Sequence, residues 1–295
     1  MDRKLFAILA TLAESGTPLS QRELSARTGY SLGSVNAACK ECMQLGSLSK
    51  GSLTPFGLQA LEPYRVRRAI FLAAGFSARL APITFNTPKP LVRVGGIRII
   101  DGLIDACLSL GIKEIYVVRG YLAHQFDQLL AKYPMIRFLD NPLFNESNNI
   151  TSALVAKNLF ANAYVFEADL ILRTPSLLSL YHYQSDFLAI FKERSDDWCF
   201  TVDDHGIIQS EHLGGFHTWQ MVGISYWDAA SGKMLAVDLP YAAGLPGGKE
   251  RFWEQVPLGV CKNHYQVALR PCQGRDITEI DTFRELKAID HSYEV

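Results

Sequence analysis

The stretch Ala69-Ile70-Phe71-Leu72-Ala73-Ala74-Gly75-Phe76-Ser77-Ala78-Arg79-Leu80-Ala81-Pro82-Ile83-Thr84-Phe85-Asn86-Thr87-Pro88-Lys89-Pro90-Leu91 decides the fold. Its first six residues form an apolar run of the kind that makes a parallel strand buried on both faces. Small residues follow, and they let backbone N–H groups approach an anion that bulky side chains would exclude. Arg79 and Lys89 add two cations, so the stretch reads as a strand followed by a phosphate-holding loop. Beyond Arg67, strands are expected at 69–74, 114–118, 136–139, 164–168 and 187–191, with helical segments between them. This alternation predicts an α/β protein with a Rossmann-like, mostly parallel sheet. Ligands of such sheets bind beyond the carboxyl ends of the strands, where the Gly75 loop, Gly120, Tyr121 and Asp169 all fall.

Residues 1–64 read differently. Leu5, Ile8, Leu9 and Leu12 share one helical face, Ser20 and Glu23 form a capping box, and Gly29 turns the chain. A third helix is expected from Leu32 to Leu45, with Val35, Ala38 and Met43 inward, and residues 47–54 suit a tight two-stranded wing. The pattern resembles a winged helix-turn-helix, which gives a domain of residues 1–64 before one of residues 65–295. That resemblance implies DNA as a partner, reached through Ser31, Ser34, Asn36 and Lys40. Residues 1–65 carry seven cations against five anions, far from a strongly basic face. The alternative is a domain that packs on the second domain or forms a homodimer.

Leu72-Ala73-Ala74-Gly75, Arg79-Leu80, Pro82, Thr84 and Pro88-Lys89-Pro90-Leu91 resemble the signature of the sugar-phosphate-type nucleotidyltransferases, L-A-A-G-x-G-[ST]-R-L-x-P-x-T-x-x-x-P-K-P-L. Two positions depart from it: Ser77 stands at the second glycine and Ala78 at the following Ser/Thr. One polar phosphate contact is therefore either missing or supplied by Ser77. The resemblance implies a nucleotide held by Ala73, Ala74, Gly75 and Ser77, with Gly120 and Tyr121 nearby. Asn148, Asn149 and Ser152 match an N-N-x-x-S segment of bacterial phosphocholine cytidylyltransferases, which points to CTP. By the same comparison Arg79 holds the leaving pyrophosphate and Lys89 stabilises charge on the α-phosphate.

Asp169, at the end of an apolar strand, is placed to hold a Mg²⁺ that bridges nucleotide phosphates. Asp281 resembles the second metal-binding aspartate of the family; its alternative role is the N-cap of the final helix. Trp198, Trp219, Tyr226 and Trp253 are candidates for a cage around a quaternary ammonium, with Asp196, Asp197 and Glu254 as acidic neighbours. Lys192 is a candidate for the acceptor's phosphate. These residues lead to the expectation of a Mg²⁺-dependent cytidylyltransferase acting on CTP and phosphocholine or a similar phospho-amine. The alternatives are 2-aminoethylphosphonate or a sugar 1-phosphate as acceptor, or a transcriptional regulator that only senses a ligand.

With 295 residues and 48% hydrophobic content, the chain has material for one large domain or for a large and a small one. A net charge of −1 gives no global attraction to nucleic acid or membrane. No apolar run reaches the roughly 20 residues of a membrane span, so no membrane contact and a cytoplasmic location are expected. Only Cys39 and Cys42 of the six cysteines lie close together, and without a second pair they read as buried thiols. The residues around Pro240, from Leu239 to Lys249, are expected to form a mobile loop.

Overall fold

The computed structural model describes residues 1–294 of the chain and divides it into two units. The first takes in Met1–Val66 together with Ser179–Tyr183; the second takes in Arg67–Leu178 and the residues from 184 onward. The first thus ends two residues later than the sequence boundary and captures a short later segment.

In the first unit, α1 (Arg3–Ser15), α2 (Gln21–Thr28) and α3 (Leu32–Gln44) are followed by the wing, β1 (Leu48–Ser49) and β2 (Ser52–Leu53), and by α4 (Pro55–Leu61). Leu5, Ile8, Leu9 and Leu12 of α1 are buried, as their spacing requires. The capping box of α2 is present: the Glu23 N–H donates to Ser20 Oγ, and the Ser20 N–H donates to the Glu23 carboxylate at 2.7 Å. Val35 and Ala38 face inward, but Met43 is 45% exposed. From Val35 the buried face of α3 passes through Cys39 to Cys42, so Met43 falls one residue, about 100°, off that face. Burial pushes the Cys42 thiol up to about 11, which keeps it protonated. Helix α4 was not anticipated from the sequence. Thr54 caps it and Pro55 occupies its first turn, a helix-start signature that a wing ending at Thr54 conceals.

In the second unit, β3 (Arg68–Leu72) is followed by the ribbon β4 (Arg93–Val94) and β5 (Ile97–Arg98), α5 (Ile99–Ser109), β6 (Glu114–Arg119), β7 (Arg137–Asp140), α6 (Ile150–Ala156), β8 (Ala163–Glu167) and β9 (Leu170–Leu172). Then come β10 (Asp186–Val202), β11 (Ile208–Trp227), α7 (Ala229–Ala243), β12 (Ala268–Cys272), β13 (Ile277–Glu279) and α8 (Phe283–Ile289). Seven strands form one sheet in the order β12-β10-β11-β8-β3-β6-β7. β3 lies between β6 and β8, parallel to both, and its Ala69, Ile70 and Phe71 are wholly buried. All five expected strands are present, although β10 is much longer than expected. β11 runs antiparallel to β8 and β10 and makes the sheet mixed.

Leu239–Lys249 is not a free loop. Helix α7 continues through Pro240 to Ala243, and Lys249 O accepts from the Asn148 N–H at 2.8 Å. Gly248 packs so closely that a Cβ there would lie 2.4 Å from the carbonyl oxygens of Ala242 and Ala243.

The core of this unit gathers Phe187, Phe200, Trp227, Leu235, Trp253 and Val256. Helix α7 closes it because Gly232 lets its backbone approach the Phe160–Ala161 turn; a Cβ there would sit 2.3 Å from the Ala161 nitrogen. Gly232→Ala should therefore destabilise the protein by about 1–3 kcal/mol, since neither helix nor turn backbone yields easily. A urea denaturation midpoint equal to wild type would contradict this packing.

Candidate active site

The sheet brings three chain segments together at the carboxyl ends of its central strands. After β3, the Ala73 N–H donates to Val118 O, and Ala74 O accepts from the Tyr121 N–H, each at 2.9 Å, so the loop leaves in a fixed direction. After β8 comes Asp169. The antiparallel ribbon of β9 with β13 pairs Leu170 with Glu279 and so carries Asp281 alongside.

Lys89, held in the short turn Lys89–Leu91, has a side chain only 4% exposed. Its Nζ lies 2.8 Å from Asp169 Oδ2 and 3.1 Å from Asp281 Oδ1. Arg79 Nη2 reaches the same Asp281 oxygen at 2.9 Å. Burial alone would lower the Lys89 pKa, but the two carboxylates outweigh it and the net shift is upward. Lys89 is therefore a permanent cation here. Asp281 does not cap α8: Thr282 does, through a capping box with Glu285.

A cavity of about 300 Å³ is lined by all four of these charged residues. Ala73, Ala74, Gly75, Ser77, Arg79 and Lys89 line it, as do Asn148, Asn149 and Ser152 and the carboxylates of Asp169 and Asp281. The Asn149 side-chain oxygen Oδ1 accepts from the Trp253 backbone N–H at 2.8 Å, and Ser152 Oγ accepts from Asn141 Nδ2 at 3.1 Å. These bonds fix the start of α6 as a wall. Gly120 and Tyr121 do not reach the cavity. Gly120 packs under Phe144, which does line it, and the Tyr121 hydroxyl donates to Phe85 O at 3.0 Å. Both support the site from behind.

A second cavity, about 660 Å³, adjoins the first and shares Arg79, Glu167, Phe252, Glu279 and Asp281 with it. Lys192 and Trp198 line it as expected. The other three expected cage residues do not. Tyr226 is fully buried with its hydroxyl on Asn162, and Trp219 packs edge-on against Phe191. Trp253 stacks in the core and borders only a void of about 10 Å³. The large rings of β11 and its surroundings contribute their apolar area to the core rather than to a cage.

What the second cavity presents instead is carboxylate. Glu167, Asp196, Asp197, Glu254, Glu279 and Asp281 all line it. Glu167 and Glu279, the last residues of β8 and β13, each lie two residues before an expected metal ligand. The sequence held that signal in Glu167-Ala168-Asp169 and Glu279-Ile280-Asp281. Glu254 is 3% exposed, its Oε2 has no partner, and burial pushes it up to about 8. Burial likewise raises Glu279 to about 8 and Glu167 well above the usual range, with the neighbouring carboxylates adding to both. Gly223 makes room for Glu167, because a Cβ there would lie 2.6 Å from Glu167 Oε2.

The oxygen set fits a hard divalent cation. Asp169 Oδ1 is buried without a partner, and carboxylate oxygens of Glu167, Asp169 and Glu279 lie within 4.8 Å of one another.

Residues 68–197 match the nucleotidyl transferase family, and residues 1–46 match a winged helix-turn-helix DNA-binding family. A 2-aminoethylphosphonate cytidylyltransferase of Lancefieldella rimae is 35% identical over 231 residues, which span 76% of this chain and 92% of that protein. A choline-phosphate cytidylyltransferase of Streptococcus pneumoniae is 29% identical over 226 residues, 76% of this chain and 96% of the relative. The solved structure of a CTP:phosphocholine cytidylyltransferase from Streptococcus pneumoniae superposes with a TM-score of 0.70 at 27% identity, covering 77% of this chain and 99% of that one.

The buried carboxyls set a pH dependence. A carboxyl raised in the folded state stabilises the fold fully below its unfolded pKa, and that stabilisation is lost as pH climbs to the folded value. The metal-free protein should therefore melt at progressively lower temperature from about pH 5 to pH 9. Glu254→Gln should flatten that decline and melt above wild type at its alkaline end. Parallel pH–melting curves for the two proteins would contradict the buried, proton-binding state of Glu254.

Proposed function

This chain belongs to the nucleotidyl transferase family, and from that premise we propose that it transfers CMP from CTP to a small phosphonate or phosphate bearing a primary ammonium, 2-aminoethylphosphonate foremost. The observation that carries the acceptor is the carboxylate wall of the second cavity, with Glu254 Oε2 buried and unpartnered. A primary ammonium brings three N–H donors that such a wall satisfies. A trimethylammonium brings none, and it would desolvate the carboxylates against methyl groups while meeting only Trp198 and Phe252 as aromatic surfaces. The similarity to the Lancefieldella rimae enzyme supports the same acceptor, and the cytidylyltransferase relatives support CTP.

In this reading an oxygen of the acceptor's phosphonate attacks the α-phosphorus of CTP. The bond from that phosphorus to the bridging oxygen breaks, and pyrophosphate leaves. Backbone N–H groups of the Ala73–Ser77 loop hold the phosphates. Lys89 neutralises charge on the α-phosphate, and Arg79 takes the leaving pyrophosphate. Asp169 and Asp281 would hold a Mg²⁺, which when bound supplies charge neutralisation between phosphates. Lys192 meets the acceptor's anionic end and the carboxylates its ammonium, so the two ends of the molecule fix its approach. No protein nucleophile is required.

Pyrophosphate release and ³¹P NMR of the product, run with CTP against a panel of acceptors, test the assignment. 2-Aminoethylphosphonate and phosphoethanolamine should exceed phosphocholine in kcat/KM by at least about tenfold, or roughly 1.4 kcal/mol. A preference for phosphocholine would overturn the ammonium assignment alone. Absence of pyrophosphate with every acceptor would overturn nucleotidyl transfer.

A further inference from the structure

Helix α7 buries Leu235, Leu239 and Ala242 along one face, and Asp238 lies on that same face, only 4% exposed. A carboxylate on an apolar stripe is costly unless something pairs with it. Its only ion-pair partner among the described residues is a histidine: His264 Nδ1 lies 2.8 Å from Asp238 Oδ2. The Tyr265 hydroxyl donates to the same oxygen at 2.7 Å. His264 belongs to the short turn Lys262–His264, in which its N–H donates to Cys261 O at 2.9 Å. Side chains three apart in so tight a turn lie over one another. The Cys261 sulfur, an imidazole nitrogen of His264 and a carboxylate oxygen of Asp238 accordingly lie within 4.8 Å of one another.

Thiolate, imidazole and carboxylate are the ligand types of zinc, and three of them leave a fourth tetrahedral position for water. The set around Asp169 is all carboxylate and suits a hard cation, whereas a thiolate selects a softer one. Cys261 and Asp238 are buried, while the His264 side chain is 49% exposed and gives an ion a way in. The Tyr265 hydroxyl supplies the outer hydrogen bond that orients the carboxylate. We propose that Asp238, Cys261 and His264 bind Zn²⁺, with release of the thiol proton to solvent. The ion ties α7 to the chain that descends from Trp253 and Glu254 through the turn Val256–Val260 to Cys261. This site is separate from the carboxylates around Asp169 and does not depend on the reaction assigned to them.

The test titrates the full-length chain with Co²⁺ and then Zn²⁺, in excess Mg²⁺ to fill the all-oxygen site. Co²⁺ should give a near-ultraviolet thiolate-to-metal charge-transfer band that saturates at one ion per chain, and Zn²⁺ should abolish it by displacement. Cys261→Ser should lack the band, and Cys272→Ser, which alters the least buried thiol, should keep it. His264→Ala removes a half-exposed ring and should fold as wild type does. It should bind Zn²⁺ at least about tenfold more weakly and lose most of the rise in melting temperature that Zn²⁺ gives the wild-type protein. No thiolate band in the wild-type protein, a band that survives Cys261→Ser, or Zn²⁺ affinity within about twofold of wild type in His264→Ala would each overturn the site.

Discussion

The ammonium of Lys89, buried between Asp169 and Asp281, is the constraint on which the second unit's site depends. A cation with so little access to water persists only where carboxylates are brought to it, and removing one partner of such a pair costs about 3–5 kcal/mol. Three separate parts of the chain must therefore meet: the loop after β3, the end of β8, and the end of β13. Parallel pairing of β3 with β8 aligns the first two, and the ribbon of β9 with β13 delivers the third. Arg79 joins from solvent and shares the Asp281 oxygen, so the cations and anions of the site are held in register before any ligand arrives.

That arrangement also suits the proposed binding of phosphates and a metal at one site. With nothing bound, Lys89 neutralises the carboxylates. The unpartnered Asp169 Oδ1 remains on the other side of the same residue. In the proposed reaction a nucleotide's phosphates would draw on Lys89, and Asp169 and Asp281 would hold a divalent cation. The second cavity follows from the same strands. Its carboxylates are the neighbours, at a spacing of two, of the aspartates that face Lys89, and Gly223 opens the space that Glu167 occupies.

Much of this was legible in the residues. A buried strand, small residues and fixed cations make a loop whose sequence and geometry are nearly the same statement, and Arg79, Lys89, Asp169 and Asp281 meet as that pattern requires. The winged helix was legible too, because caps and apolar spacing are local. What the sequence hid depends on partners distant in the chain. Trp253 and Tyr226 look like cage residues until the sheet order places them in the core, and Gly120 and Tyr121 sit at a strand end yet lie behind Phe144 and Phe85. Glu167 and Glu279 were hidden for a different reason: an acid two residues from another acid reads as surface charge, and only the approach of β13 to the end of β8 brings the two half-buried groups together. Met43 was misplaced by a single residue of helical phase.

The most direct measurement of the central claim is the single-turnover rate of CMP transfer by Lys89→Met, with CTP affinity measured on the same protein. The buried ammonium should act chiefly on charge that develops at the α-phosphorus, so the rate should fall by at least about a hundredfold while the Kd for CTP changes by only a few-fold. Far-UV circular dichroism and a cooperative melt would show that the fold survives. A variant that keeps a near-wild-type rate, or that loses CTP affinity in proportion to its rate, would contradict the placement of Lys89 at the reacting centre.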